Sequence, residues 1–498
     1  MRCILILTSC LAVGCGASQA GPPDSKSPSE QPAPIALAQV TATLKANPAQ
    51  ADTGKADASK AAKVPDLRTR VTGSDWPIFL GPTQDSKSSE TGITKPWPKD
   101  GPKIVWQRKL GIGYSMPSIS RGRLIQFERF SDKAVCTCLK SETGELLWKF
   151  EYDTDYEDMY GYNNGPRCSP VIDDDRVYLY GPEGMLHCIR TVDGQEIWKY
   201  DTRTTFGVVQ NFFGVGSTPI VEGDLLLVVV GGSPAPAPPQ PTLDLKGNGT
   251  GIVAFDKLTG KVRYKITDEL AAYAGPVTAT IAGRRWCFVF ARGGLVGFEP
   301  ASGKVDFQFP WRAKILESVN ASQPIVVGDQ VLISETYGPG SALLKVKPGE
   351  YSVVWSDEER RRDKALQTHW NTPIHHNGYV YGSSGRHLQN AELRCIELAT
   401  GKVMWSEPGL TRCSLMMVDG HFVCLSEIGK LLLLKVNPEK FDVVSQAWPR
   451  REGAQEIPGF GLPPLLKEPA WAAPILSHGL MYVRGDGVLV AMELIPKP

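Results

Sequence analysis

A tight Gly turn followed four residues later by an aromatic side chain recurs along this chain. It is read as Thr143-Gly144 with Trp148, Asp193-Gly194 with Trp198, Thr259-Gly260 with Tyr264, Ser302-Gly303 with Phe307, and Thr400-Gly401 with Trp405. A second mark, a proline leading into a short apolar stretch and a polar turn, lies at Pro117, Pro170, Pro219, Pro276, Pro324, Pro373 and Pro474, with Leu415 filling the series. Self-similarity at a spacing of roughly 40–50 residues signals a radial or stacked repeat and constrains the fold before any local argument.

Unrolling one repeat identifies the unit. Within 167–202, Ser169-Pro170-Val171-Ile172 is a short apolar strand ended by Asp173-Asp174-Asp175. Val177-Tyr178-Leu179-Tyr180 is rich in β-branched and aromatic residues, Met185 to Ile189 forms a third strand, and Asp193-Gly194 turns the chain into Ile197-Trp198-Lys199-Tyr200. Such alternation with hairpin chemistry is a four-stranded antiparallel meander. Four strands at this period make a propeller blade. The last repeat, from Pro474, runs out after three strands, whereas 104–109 has no three strands of its own. The expected fold is therefore all-β, an eight-bladed β-propeller whose last blade is closed by an N-terminal strand, leaving no open edge.

The outer-strand aromatics Trp106, Trp148, Trp198, Trp355 and Trp405 are expected to pack between neighbouring blades. Each buried ring contributes at most on the order of 4–5 kcal/mol by area. WD40 repeats share the period, but their Trp precedes Asp, whereas Lys or Ser follows here.

The expected division is a signal peptide at 1–20, an Ala/Pro/Ser-rich disordered tether at 21–73, an entry arm at 74–103 and the propeller at 104–498. Arg2 followed by an apolar run suits an export signal too short to span a membrane. Two lipid-type endings compete. Ala12-Val13-Gly14-Cys15 makes Cys15 the lipid attachment candidate; Leu7-Thr8-Ser9-Cys10 fits the lipidation pattern better but would leave an unusually short apolar region, and cleavage after Ala20 is the soluble alternative. The tether segment 21–63 holds no aromatic residue and cannot bury enough apolar area to offset its chain entropy. With 54 Lys plus Arg against 53 Asp plus Glu and no basic stripe, nucleic acid is not the expected partner. The expectation is an exported protein, periplasmic or lipid-anchored, monomeric, with an envelope protein as partner and membrane contact only through the anchor.

Of the 11 cysteines, Cys138, Cys188 and Cys395 each lie six residues before a repeat Gly, where other repeats carry Ala254, Gly297 and Leu343. That position wants a small buried side chain, so the spacing does not read as a disulfide framework. His375-His376 point to opposite faces of one strand and are not expected to chelate together. Asp153, Asp155, Glu157 and Asp158 start like a calcium loop but lack its Gly and closing Glu, and are expected as a solvated acidic loop. No nucleophile elbow, phosphate loop or zinc helix is present, and no catalytic or metal residue is assigned.

First and third turns of the blades are mostly tight, as at Asn377-Gly378 and Asp419-Gly420. The long segments 151–166, 201–215, 357–369 and 449–470, with the Pro-rich insert 233–250, fall on the opposite face. Binding usually resides on such loops. The position three before each strand-start mark places Tyr114, Arg167, Gly216, Tyr273, Ala321, Trp370, Arg412 and Trp471 around the channel mouth on that face. Tyr114, Arg167, Tyr273, Trp370, Arg412 and Trp471 form the candidate binding rim; the alternative is that they pack on neighbouring loops.

The units Cys-Ile-Glu-Leu-Ala-Thr-Gly-Lys-Val-Met-Trp at 395–405 and Ala-Phe-Asp-Lys-Leu-Thr-Gly-Lys-Val-Arg-Tyr at 254–264 resemble the pyrroloquinoline-quinone-type repeat. The opening Asp-Trp-Pro-Ile-Phe-Leu-Gly-Pro at 75–82 is similar to the entry arm of secreted bacterial members. The resemblance covers about 74–498 and implies either of two functions: a quinoprotein dehydrogenase, or the lipoprotein scaffold of outer-membrane β-barrel assembly. Quinoprotein dehydrogenases carry an adjacent Cys-Cys pair over the quinone with calcium and an Asp nearby; here the nearest approach is Cys136-Thr137-Cys138, and no Cys-x-x-Cys-His haem attachment is present. No cofactor is therefore expected, pyrroloquinoline quinone with calcium lacking its ligand motif. A non-catalytic envelope scaffold is the leading expectation, with a diverged quinone-dependent oxidoreductase and a glycan- or small-molecule-binding propeller as alternatives.

Overall fold

The computed structural model describes residues 64–209, 212–238, 240–450 and 463–497. The expected signal peptide, Cys15 and the tether up to residue 63 lie outside the described residues, as does 451–462 of the last long link. Among the described residues, 32 strands and one short helix, Thr202–Phe206, make eight four-stranded antiparallel sheets disposed as the blades of a propeller. Blade two shows the pattern: Val171–Asp173 innermost, then Arg176–Tyr180, Met185–Arg190 and Glu196–Asp201 at the outside. The two middle strands are buried on both faces because a blade lies against each, so they read as continuous apolar runs; the outer strand alternates.

Ring closure follows the sequence reading. Ile475–Ser477, Leu480–Gly485 and Val488–Glu493 supply three strands of blade eight, and Lys103–Lys109 pairs antiparallel with Val488–Glu493 as the fourth. The chain ends are thereby hydrogen-bonded together, and no blade is left with a missing strand.

The recurrent Gly and aromatic residues turn out to be two halves of one seat. Trp148 of blade one lies on Gly194 of blade two, and its indole N–H donates to the Thr191 carbonyl at 3.0 Å. A Cβ on Gly194 would sit 2.6 Å from that ring, and the residue has φ +73°, so side-chain absence is required twice. The same seat joins Trp106 to Ser141 at 2.9 Å, Trp198 to Lys257 at 3.2 Å and Trp355 to Leu398 at 2.8 Å, and Trp405 makes the same indole-to-carbonyl bond to Asn437 at 3.0 Å without a glycine partner. The five tryptophans are thus inter-blade packing residues. The eight described cysteines are buried and free.

Two segments depart from the expected division. Residues 64–73, expected in the tether, pack on the tight-turn face: Leu67 N–H donates to Arg121 O at 3.1 Å, and Arg70 pairs with Glu493. Val64 is buried there, and a buried apolar side chain with paired backbone offsets the entropy cost of ordering this segment. The entry arm crosses the tight-turn end of the central channel. Trp76 exchanges two backbone hydrogen bonds with Ile119 of blade one, and Pro77 accepts from Ile172 of blade two. Gln84 bonds Thr278 of blade four, Ser86 and Ser88 bracket Met417 of blade seven, and Glu90 accepts from His478 and Gly479 of blade eight. Trp76 is 1% exposed. The channel is therefore closed at one end by the chain's own arm.

Candidate functional site: a floored, aromatic cup

All eight positions that precede the inner strands converge on one cavity of ≈ 450 Å³ at the loop-rich face. Its floor is Phe79, Leu80 and Ser86 of the arm, so it is a cup and not a pore. The size falls within the range of small-molecule sites. Blades three and five contribute Gly216 and Ala321; a Cβ at Gly216 would meet the Tyr273 ring at 2.4 Å, which is why that rim position is empty.

The rest of the wall is a continuous run of rings and guanidinium groups. Arg167 lies 5.4 Å from the Tyr114 centroid, Tyr114 is 4.7 Å from Trp471, and Trp471 is 4.5 Å from Trp370. Arg412 sits over Trp370 at 4.3 Å and near Trp471 at 5.5 Å. Beyond Trp370 follow His369 at 4.9 Å, Tyr337 at 5.6 Å from His369, and Arg386 over Tyr337 at 4.4 Å. On the other side Phe213 links Arg167 at 5.6 Å to Tyr273 at 5.7 Å, and its amide donates to the Tyr273 hydroxyl at 2.9 Å. The rim residues pack on one another and line the cavity.

Two of the three arginines are fixed from behind. Arg412 donates to Glu427 through Nε at 2.9 Å and Nη2 at 2.5 Å, and the same carboxylate accepts from Trp471 Nε1 at 3.0 Å. Arg167 pairs with Asp158 at 2.6 Å. Both carboxylate side chains are 0% exposed. Asp158 is thus no member of a solvated acidic loop: its charge is withdrawn beneath the rim and held by Arg167 and by the Tyr160 amide. Such charges are costly to bury and are tolerated because each is paired in a directed geometry.

His369 is the third anchored group. Burial first, then the charges of Arg412, Arg386 and His387, bring its pKa down to about 3, so the ring is neutral in neutral solution. Arg412 Nη1 faces its Nδ1 at 3.4 Å and can only donate; the ring proton therefore resides on Nε2, which meets the Tyr337 hydroxyl at 3.0 Å.

Arg386 is different. Its guanidinium lines the cup, stacks on Tyr337 and has no carboxylate partner among the described residues. Among the described residues no Asp, Glu or Cys lines the cavity. Calcium takes oxygen ligands, commonly carboxylates, so the described lining does not fit the calcium–quinone pair that the repeat resemblance implies. Among the described residues no group of three His, Cys, Asp or Glu side chains could hold a metal ion. His375 accepts the Gly378 amide at 3.1 Å within its own turn.

Sequence reasoning missed Tyr337, His369, Arg386, Phe213 and the two buried carboxylates. Tyr337 and Arg386 come from second turns of blades five and six, and Asp158 and Phe213 from blade-to-blade links. The available signal was that both classes of segment belong to the loop-rich face and that 385–391 is long for a blade turn.

A ring of eight meanders joined by Gly–aromatic seats defines a propeller of the pyrroloquinoline-quinone-repeat class. Residues 131–407 match the family model described as outer membrane protein assembly factor BamB, and the chain belongs to that family. Among solved structures it is similar to BamB from Moraxella catarrhalis, at 13% identity and TM-score 0.50, covering 78% of this chain and 97% of that one. It is also similar to a quinohemoprotein alcohol dehydrogenase, ADHIIG, from Pseudomonas putida HK5, at 13% identity and TM-score 0.45, covering 85% and 81%. At these identities the likeness is one of fold. No curated protein sequence matches the chain. Among the described residues, no helix is long and apolar enough to cross a membrane.

Proposed function

We propose that the protein is a non-catalytic scaffold of the cell envelope, exported and held by a lipid at Cys15 or released after Ala20, whose loop-rich face docks a protein partner. The observation that carries this reading is the distribution of exposed apolar side chains. Ile112, Phe130, Tyr160, Tyr162, Leu243 and Ile315 are each at least 38% exposed and all belong to links, second turns or the blade-three insert. Apolar side chains gathered at one face, beside irregular loops on a rigid scaffold, are characteristic of interaction sites. Membership of a family named for an assembly factor supports the same reading. Exposed apolar groups elsewhere lie mainly on the outer strands, at Val105, Leu146, Val262, Val353, Val354, Val403 and Val443, with Val71 and Leu258 at the tight-turn face, and scattered exposure of this kind is ordinary.

The test is capture of partner from envelope fractions by the mature protein. Tyr160→Ser with Leu243→Ser should lower capture at least about tenfold, the loss of a modest interface anchor. Asp329→Lys, in a tight turn on the other face, should leave capture unchanged. The reading fails if the tight-turn change abolishes capture and the loop changes do not.

A further inference from the structure

We propose that the floored cup is a binding site for a small carboxylate carried on a six-membered ring, an aromatic acid or a sugar acid, with Arg386 as the group that receives its charge. The proposal concerns a ligand inside the cavity and stands independently of the partner docked by the surrounding loops.

The first argument is enclosure. The arm residues Phe79 and Leu80 close the channel below, so whatever enters must end inside a space of ≈ 450 Å³. That excludes a polymer threading the propeller and suits a ligand of one or two rings. The second argument is charge. Among the described residues three guanidinium groups line the cavity and no carboxylate does. Arg167 and Arg412 are already committed to Asp158 and Glu427, and Arg412 Nη1 also donates to the Arg386 carbonyl at 3.0 Å. Those two hold the wall in place. Among the described lining residues Arg386 alone presents a fork without a carboxylate partner, and a carboxylate matches that fork with two parallel hydrogen bonds.

The third argument is the shape and polarity of the rest of the wall. Tyr337 supports Arg386 from one side by stacking, which orients its plane and leaves its edge to the cavity. The neutral His369 ring adds no competing charge, and its nitrogens are engaged by Tyr337 and Arg412. Trp370, Trp471 and Tyr114 offer flat apolar surface opposite the small residues Gly216 and Ala321. A flat ring can lie on such surface while its acid group reaches the guanidinium; an acyclic or neutral ligand would use only one of the two features.

The experiment is calorimetric titration of the mature protein with benzoate and with D-glucuronate, each against its neutral counterpart, benzamide and D-glucose. At least one acid should saturate, with its neutral counterpart at least about tenfold weaker, and Arg386→Met should weaken that acid about tenfold or more, as expected for loss of one charge-assisted pair. Arg386→Lys keeps the charge but not the fork and should fall between. Whichever acid binds identifies the ring class. Thermal melting of each variant reports whether it folds, and if Arg386→Met does not, the Arg386→Lys titration decides. The proposal is overturned if neither acid saturates by about 10 mM, a level weaker than most specific sites, if the neutral counterparts bind equally well, or if the folded arginine variants bind as the parent does. The Tyr160 and Leu243 substitutions should leave acid binding intact, so failure of partner docking and failure of the cup remain distinguishable.

Discussion

The seats between blades and the cup at the loop-rich face are built from the same materials, tryptophan rings against small residues, yet they obey different rules. A seat such as Trp148 on Gly194 repeats around the ring and uses only its two blades: the ring fills the space a Cβ would take and its N–H meets a backbone carbonyl. The cup occurs once. Its rings touch each other in a run from Tyr114 to Tyr337, and buried carboxylates from unrelated loops fix the arginines among them. Repetition distributes stability, whereas the single site concentrates buried charge. The difference teaches that damage to a seat should act on the fold, and damage to the cup should depend on whether the residue is tied from behind.

The largest effect is expected where the repeated scaffold is interrupted altogether. Deleting 103–109 removes the outer strand of blade eight and takes Trp106 from its seat. The strand Val488–Glu493 then offers an unpaired edge, a template for association with another chain. Gel filtration should show aggregation in place of a single folded species. Deleting 21–63 should leave folding unaffected. If the shortened propeller elutes and melts as the parent does, closure by the N-terminal strand is not what holds the ring.

Within the cup, the two kinds of arginine should separate cleanly. Arg412→Met leaves Glu427 buried without its main partner, a loss on the order of 3–5 kcal/mol. Adding Glu427→Gln should recover part of that loss by removing the stranded charge. Arg386→Met, with no carboxylate to strand, should cost under about 0.5 kcal/mol. Urea denaturation midpoints measure all three. Equal costs at Arg412 and Arg386 would erase the distinction between wall and receptor. Arg167 and Arg412, which read from sequence as recognition residues, are each paired with a buried carboxylate, so substituting either should perturb the fold as well as any binding.

What was legible in the sequence follows the same division. The Trp–Gly seats, the four-strand meander and the closing strand were legible because they recur, so each copy checks the others. The eight rim positions were legible for the same reason: they keep one offset from the inner strand, and all eight do line the cavity. Glu427, Asp158, Tyr337 and Arg386 were not, because each occupies a loop found once, so no second copy checks it. The floor of the cup was hidden for a related cause. The arm's contacts run from Ile119 to His478, and no local pattern at 76–90 announces that a segment beside blade one also reaches blades four, seven and eight. Residues 64–73 read from sequence as tether because no repeat pattern marks them, and they are held by carbonyls and carboxylates of blades one and eight and by Arg123, which donates to the Pro65 carbonyl.

In the parent protein the smallest expected effect concerns protons, because two groups joined through Tyr337 are perturbed in opposite senses and nearly cancel. Glu335 is buried at the start of the blade-five turn, and its carboxylate accepts the Tyr337 amide at 2.7 Å. Burial raises its pKa from 4.5 to about 7 despite that bond. The folded state therefore holds a proton that the unfolded chain releases, and the contribution to stability falls as pH rises from about 4.5 to about 7. His369 behaves in reverse. Its pKa is lowered from 6.5 to about 3, so between these values the unfolded chain binds the extra proton, and stability rises with pH up to about 6.5. From about 4.5 to 6.5 the two slopes, each at most about 1.4 kcal/mol per pH unit, oppose one another and nearly cancel. Removing one should unmask the other. Glu335→Gln should give a stability that climbs from about pH 3 to pH 6.5 and is then flat; His369→Gln should give one that declines from about pH 4.5 to pH 7. Arg412, Arg386 and His387 surround position 369 in both variants, so the comparison isolates the proton at one position. Denaturation midpoints followed across pH decide the matter: if either variant parallels the parent throughout, the two groups are not the opposed pair that the packing around Tyr337 makes them.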